Sequence, residues 1–179
     1  LKITGGQWKG RNIKVPHGIR PTTARSKEVL FALIQRWIPD STVIDSFCGS
    51  GVLGLECLSR GARHAYFIDR SNRCIQTVRD NIDAIGAGDS TTVIQGDAFR
   101  MLKKLTTHGQ QVDLILADPP YEADLSMRTA KQVAESGILV SGGILVVEFR
   151  KGERLIVPAG LSLVKSKILG DTGLAVLEA

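Results

Sequence analysis

The run Asp118-Pro119-Pro120-Tyr121 sets a carboxylate, two prolines and an aromatic ring side by side. Proline fixes φ and lacks an N–H, so a carboxylate followed by two prolines is held in a stiff loop. The Asp118 carboxylate and the Pro119 carbonyl are then preorganised acceptors, suited to take the two hydrogens of an NH2 group. An exocyclic amine on a nucleobase is a poor nucleophile, because its lone pair is delocalised into the ring. Acceptors on both hydrogens help to localise that pair. Tyr121 offers a face on which a base stacks, worth roughly 1–3 kcal/mol. The plainer alternative is a rigid turn from strand to helix, since proline marks turns generally.

A second constellation is Asp45-Ser46-Phe47-Cys48-Gly49-Ser50-Gly51-Val52-Leu53-Gly54, which contains GxGxxG. Glycines at this spacing let the backbone approach a ligand closely and let a helix start tightly. Such a loop can hold a dinucleotide. However, Asp45 precedes it and no Lys or Arg lies within it to hold a pyrophosphate. A ligand with a cationic sulfonium and an amino-acid head tolerates that acid better. Asp69 stands where a carboxylate accepts hydrogen bonds from ribose hydroxyls, which both ligand types carry. Asp97 can accept from an exocyclic adenine amine. Together these features fit S-adenosylmethionine, and a small NAD-dependent oxidoreductase is the competing reading. Each aspartate is also a natural helix N-cap or turn residue.

These residues need a frame. Short apolar runs predict strands over 42–47, 65–69, 91–95, 112–118 and 143–149, with a closing antiparallel pair over 161–168 and 174–178. Between them, periodic stripes predict helices ending near 60 and spanning 71–85, 98–105 and 125–136. An earlier helix starts at Thr22 or Thr23 and carries Leu30, Leu33, Ile34, Trp37 and Ile38 as one core-facing stripe. Repeated βα units predict an α/β, Rossmann-like fold with a mostly parallel seven-stranded sheet and helices on both faces. Ligands bind such sheets outside the carboxyl ends of the strands, where Asp45, Asp69, Asp97 and Asp118 all fall.

The chain has 179 residues and a net charge of +5, but the charge is uneven. Residues 1–27 hold Lys2, Lys9, Arg11, Lys14, Arg20, Arg25 and Lys27 and no acid, while the rest is slightly acidic. A basic arm on a near-neutral body is the footprint of a polyanion binder, or else simply a solvated surface. The expected division is a basic arm over 1–21 and a catalytic domain over 22–179. Trp8, beside Lys9 and Arg11, could stack on RNA or pack. Cys48, Cys57 and Cys74 form no CxxC pair and lie near none of the histidines His17, His64 and His108. The expectation is reduced thiols, no metal site, and a packing rather than nucleophilic role for Cys48. No apolar run reaches the ~18 residues of a membrane span, and no secretory signal is visible.

DSFCGSGVLGLE at 45–56 resembles motif I of the class I methyltransferases, and DPPY resembles their motif IV. More narrowly, GGQWKGR, RPTTARSKEVLF, LGLECLSRGA and GDTGLAVLE are similar, in order along nearly the whole chain, to the bacterial 16S ribosomal RNA guanine-N2 methyltransferases of the RsmD type. The resemblance implies a class I methyltransferase fold, S-adenosylmethionine as methyl donor, and methylation of the exocyclic N2 of a guanine in 16S ribosomal RNA. It implies catalytic roles for Asp118, Pro119, Pro120 and Tyr121. Cofactor contacts are implied at Asp45, Phe47, Gly49, Gly51, Asp69, Arg70, Asp97 and Ala98, and RNA contacts at Lys9, Arg11, Arg20 and Arg25. The implied partner is 16S ribosomal RNA within the assembled or assembling 30S subunit, met by a cytoplasmic monomer. The stretch VVEFR at 146–150 and the short segment after Tyr121 depart from the pattern. DNA adenine-N6 methylation is the alternative, because DPPY serves amino-group methylation generally, although 179 residues leave little room for a separate DNA-reading segment.

Overall fold

The structure, a computed structural model, describes residues 1–19, 23–120 and 124–179. The expected strands and helices alternate along it. The strands are β1 (Thr42–Ser46), β2 (His64–Asp69), β3 (Thr91–Gln95), β4 (Val112–Ala117), β5 (Leu139–Arg150), β6 (Ser162–Leu169) and β7 (Thr172–Glu178). The helices are α1 (Ala24–Ile34), α2 (Val52–Ser59), α3 (Asn72–Ile85), α4 (Ala98–Thr107) and α5 (Leu125–Ser136).

One seven-stranded sheet runs β3-β2-β1-β4-β5-β7-β6. β1 to β5 are parallel to one another, and β7 is antiparallel to both β5 and β6. The chain winds outward from β1 to β3 and then crosses back to β4. The crevice where strand order reverses therefore lies between the carboxyl ends of β1 and β4, the usual ligand position in open α/β sheets.

Side-chain alternation sorts the core into two layers. Val43, Phe67, Leu114, Leu116 and Val146 face α1, α2 and α3. Ile44, Ile68, Ile115, Leu145 and Val147 face α4 and α5. The central strands are apolar on both faces, as strands covered on both sides must be.

Several boundaries differ from the sequence expectation, each for a local reason. α1 ends at Ile34 and tightens into a 3-10 turn over Gln35–Trp37. The tighter winding turns Trp37 partly out of the core, to lie half-buried under the Arg36 guanidinium, 3.9 Å from its ring centroid. β5 begins at Leu139, not at 143. Gly142 and Gly143 read as a break, yet the strand runs through them with a register shift against β4. A Cβ on Gly143 would sit 2.9 Å from the Val140 carbonyl oxygen, so the shift needs glycine there.

The basic N-terminal segment lies against the body. Ile3 and Ile13 are buried in the first core layer, and Lys2 pairs with Asn12 in an antiparallel bridge. The Gln7 amide donates to the Ser59 carbonyl at 2.8 Å, and Asn81 both accepts from the Lys14 amide and donates to its carbonyl. Gly6 has φ +75° and its missing Cβ would overlap the Ser59 carbonyl, so the arm docks only with glycine at that point.

Lys27, counted with the arm's charge, is fully buried. Its ammonium donates to Glu56 at 2.9 Å and to the Lys2 carbonyl. The surface charge of the arm is correspondingly smaller than its sequence charge.

Candidate active site

The glycine loop between β1 and α2 is built from strained and permissive backbone. Phe47, Gly49 and Gly51 have φ of 59°, 53° and 75°. Left-handed backbone at a non-glycine residue such as Phe47 costs on the order of 1 kcal/mol or more and persists only where the surroundings enforce it. Here they do. The Cys48 amide donates to the Ile68 carbonyl at 3.0 Å, and the Gly51 amide to the Cys48 carbonyl at 2.7 Å. The third glycine of the pattern serves packing: a Cβ on Gly54 would come within 2.4 Å of the Phe67 ring.

Two of the expected acids hold this loop in shape. Asp69 accepts from the Gly49 amide through Oδ2 at 3.0 Å and from the Ser71 amide through Oδ1 at 2.8 Å. Asp45 is buried in β1 and accepts from the Gly54 amide at 2.8 Å. Burial pushes the Asp45 carboxyl well above the usual carboxylate range, the Gly54 hydrogen bond opposes that, and the Asp118 and Asp69 charges add to it. Asp97 caps α4 by accepting from the Arg100 amide at 3.0 Å. These acids therefore brace the backbone and line the cleft at once.

A cleft of about 1030 Å³ opens over the carboxyl edge of the sheet. Of the residues expected to bind cofactor, it brings together Asp45, Phe47, Gly49, Asp69, Arg70, Asp97 and Ala98. Gly51 stands behind the wall, as the left-handed N-cap residue just before α2. Asp118, Pro119 and Pro120 line the same cleft, directly after β4, so the stiff turn and the glycine loop share one space. Tyr121 and Arg20 lie outside the described residues. Arg25 reaches the cleft from α1, whereas Lys9 and Arg11 are exposed on the docked arm and outside the lining. Among the described residues no three His, Cys, Asp or Glu side chains gather as a metal site requires. Cys48 lines the cleft with its thiol pushed well up by burial and by Asp45 and Asp69, which disfavours the thiolate.

Sequence reasoning missed three parts of this wall. Phe99, one residue past Ala98, packs edge to face on Phe47 with centroids 5.8 Å apart, and the Arg128 guanidinium caps its ring at 4.1 Å. The turn from β6 to β7, residues 168–172, closes the far side. Glu148 on β5 is the third. The β4–β5 pairing ends at Ala117↔Val147, so Glu148 is the next residue beside Asp118. It is 7% exposed and lines the cleft.

The signal for it was available: Asp45, Asp69, Asp118 and Glu148 each follow, at a spacing of two, an apolar residue of the α2/α3 face, namely Val43, Phe67, Leu116 and Val146. Burial raises Asp118 to about 6, and burial together with the Asp118 charge raises Glu148 to about 8.

The geometry is matched by likeness to known proteins. A family model described as conserved hypothetical protein 95 matches residues 1–178. The ribosomal RNA small subunit methyltransferase D of Escherichia coli K12 is 35% identical over 96% of this chain and 86% of its own length. A putative rRNA methyltransferase of Bacillus subtilis is 32% identical over 99% of this chain and 98% of its own. Among solved structures, a putative methyltransferase from Escherichia coli superposes with a TM-score of 0.86 at 32% identity, covering 99% of this chain and 97% of that one. The match therefore spans the docked arm, the glycine loop, the Asp118 turn and the closing hairpin alike, and the chain belongs to this family, that of the RsmD-type methyltransferases with their Rossmann-like class I fold.

Proposed function

We propose that the chain transfers a methyl group from S-adenosylmethionine to the exocyclic N2 amine of a guanine in 16S ribosomal RNA. The observation that carries this reading is the shared cleft: the Gly49–Gly51 loop and the Asp118-Pro119-Pro120 turn face one space. The names of the relatives, ribosomal RNA methyltransferases, support the choice of RNA as substrate.

The residues present fit the donor. Gly49 lines the cleft with no side chain to fill it, Asp69 keeps second lone pairs on both oxygens for ribose hydroxyls, and acids outnumber arginines in the lining. When bound, S-adenosylmethionine supplies an electrophilic methyl on a sulfonium. Asp69 and Asp118 provide a field that favours that cation over a pyrophosphate. Asp97 and Ala98, with Phe47 and Phe99 in the same wall, would hold the donor's adenine.

On the substrate side, Asp118 accepts one hydrogen of the guanine N2 amine and the Pro119 carbonyl the other. With its pKa near 6, Asp118 is ionised at neutral pH and still basic enough to take the proton that N2 sheds as its new N–C bond forms. Tyr121, from its place in the sequence, stacks on the extruded base. Residues 1–21 serve as the RNA-contacting arm, with Lys9, Arg11, Arg20 and Arg25 on phosphates. The substrate form is 16S ribosomal RNA folded in the small subunit, met by a cytoplasmic monomer.

The test is methyl transfer by the purified protein with tritiated donor, offered small subunits, naked ribosomal RNA and plasmid DNA, followed by mass spectrometry of the nucleosides. The expected product is N2-methylguanosine, formed fastest in small subunits. N6-methyladenine in DNA as the product overturns the reading. Labelling of naked ribosomal RNA as fast as of subunits overturns its ribonucleoprotein part.

A further inference from the structure

Glu148 is a carboxyl in search of a partner. It is more than nine-tenths buried and lines the cleft, yet its side chain makes no hydrogen bond or ion pair among the described residues. Among the described residues no fully buried side-chain polar atom is left unpaired, so its oxygens open to the cleft and not into the core. Burying a carboxyl without a protein partner is costly, and such a group persists where a ligand completes it.

Its position says what kind of ligand. Glu148 lies beside Asp118 at the ends of adjacent parallel strands, whose spacing is about 4.8 Å, and both side chains belong to the same face of the sheet. Two acceptors so placed match a pair of neighbouring N–H donors on one edge of a planar base. Guanine carries that pair, N1–H beside the N2 amine. Adenine does not: the ring nitrogen next to its amine is an acceptor.

Resting on the reading of the cleft given above, we infer that Glu148 is a specificity residue that accepts the N1–H of the target guanine while Asp118 and the Pro119 carbonyl hold its N2 amine. In the charged form Glu148 attracts N1–H and repels a ring-nitrogen lone pair. The N1–H donor and a nearby cation both favour that form, offsetting the burial that holds the empty site near 8. In the neutral form its carbonyl oxygen still accepts from N1–H, and its O–H reaches toward O6. The preference for guanine therefore comes from a group that takes no part in the proton transfer itself.

The test compares small subunits carrying guanine with reconstituted subunits carrying 2-aminopurine at the methylated position. 2-Aminopurine keeps the N2 amine but lacks N1–H and O6. Assays run at about pH 9, where both carboxyls are ionised. The wild type is expected to prefer guanine by roughly 10- to 100-fold in kcat/KM, the value of a hydrogen bond to a charged group. Glu148→Ala is expected to bring that ratio to within about threefold of unity, with S-adenosylhomocysteine affinity unchanged. Glu148→Gln, whose Oε1 still accepts N1–H, restores a preference for guanine. Should the alanine variant fail to fold, Glu148→Met, similar in length, gives the same comparison.

A variant that is slower on both bases but keeps the wild-type ratio overturns the inference and leaves the methyltransferase reading standing. A wild type that makes no N2-methylguanosine in any RNA overturns the reading itself.

Discussion

Lys27 and Glu56 form a salt bridge of 2.9 Å with both side chains fully buried. Glu56 also accepts from the Arg60 side chain at 3.2 Å and from the Thr4 amide at 2.6 Å, while Lys27 reaches the Lys2 carbonyl. One carboxylate thus ties α1, α2 and the N-terminal segment together. Removing either partner leaves a charge buried without its counterion, so Lys27→Met or Glu56→Gln is expected to cost about 3–5 kcal/mol. The double variant Lys27→Met/Glu56→Leu should cost less than the sum of the single changes. Urea denaturation of the singles and the double measures this, and additive losses would show that the pair is not coupled.

Asp69 shapes the glycine loop through the Gly49 and Ser71 amides before any ligand arrives. Asp69→Ala is expected to lower S-adenosylhomocysteine affinity at least tenfold, by removing both the ribose acceptor and the loop's anchor. It should also destabilise the empty protein by roughly 1–3 kcal/mol, the cost of leaving two amide donors without their acceptor. Calorimetry and thermal unfolding separate the two effects. An affinity unchanged in the variant would remove Asp69 from the cofactor site.

Asp118, with its carboxyl raised to about 6, sets the pH dependence of methyl transfer. Only the ionised form accepts the amine hydrogen and the proton, so kcat/KM is expected to rise through about pH 6 and then level. Glu148 faces the same cleft, and its burial, with the Asp118 charge, keeps it more protonated than Asp118 in this range, while burial also raises Asp45. Asp118→Asn should lose most activity and the step near 6 with it, while S-adenosylhomocysteine still binds. A step that persists in the asparagine variant would assign it to another group.

The folded protein resists ionising Glu148, and that resistance has a sign in stability. Its carboxyl is raised from 4.5 to about 8. Below the unfolded value both states are protonated and the group is neutral to folding. As pH rises from about 4.5 to about 8 the unfolded chain ionises more readily, so stability is lost across that window and levels above it. Glu148→Gln carries no such penalty. Its melting temperature relative to wild type is expected to increase between pH 5 and pH 8, by an amount on the order of a few kcal/mol in stability. A constant difference would show that Glu148 ionises freely.

Much of this was legible before any coordinate. β3 and α5 fall at the residues that periodicity predicts, because each is bounded by sharp turn or capping residues. The four aspartates could be placed at strand ends because a parallel sheet aligns those ends on one edge. Glu148 sits inside the apolar run of β5, and its one signal was its parity with Val146, the same spacing of two that sets Asp118 after Leu116. Phe99 gave no signal of its own, since an aromatic at the start of a helix has the same periodicity whether it packs inward or walls a pocket. Lys27 misled in the other direction. Its charge counted toward the basic arm, and only the tertiary pairing with Glu56, distant in sequence, takes it off the surface.

That last difference makes a prediction about RNA binding. If the arm meets phosphates, affinity falls linearly in log-log form with salt, and each neutralised phosphate contributes a slope of about 0.7–0.9. Lys9, Arg11 and Arg25 are exposed and form no ion pair among the described residues, so each can release counterions. Lys14 already shares Asp80 at 3.2 Å and should count for less. Lys27 is sealed from solvent and should count for nothing, whatever its substitution does to stability. The triple change Lys9→Ala/Arg11→Ala/Arg25→Ala is therefore expected to reduce the slope by about two to three and to leave S-adenosylhomocysteine affinity close to wild type. Filter binding to small subunits across a salt series reads the slope directly. Were the triple variant to keep the wild-type slope, the arm would be a docked edge of the fold and the RNA would have to be held elsewhere.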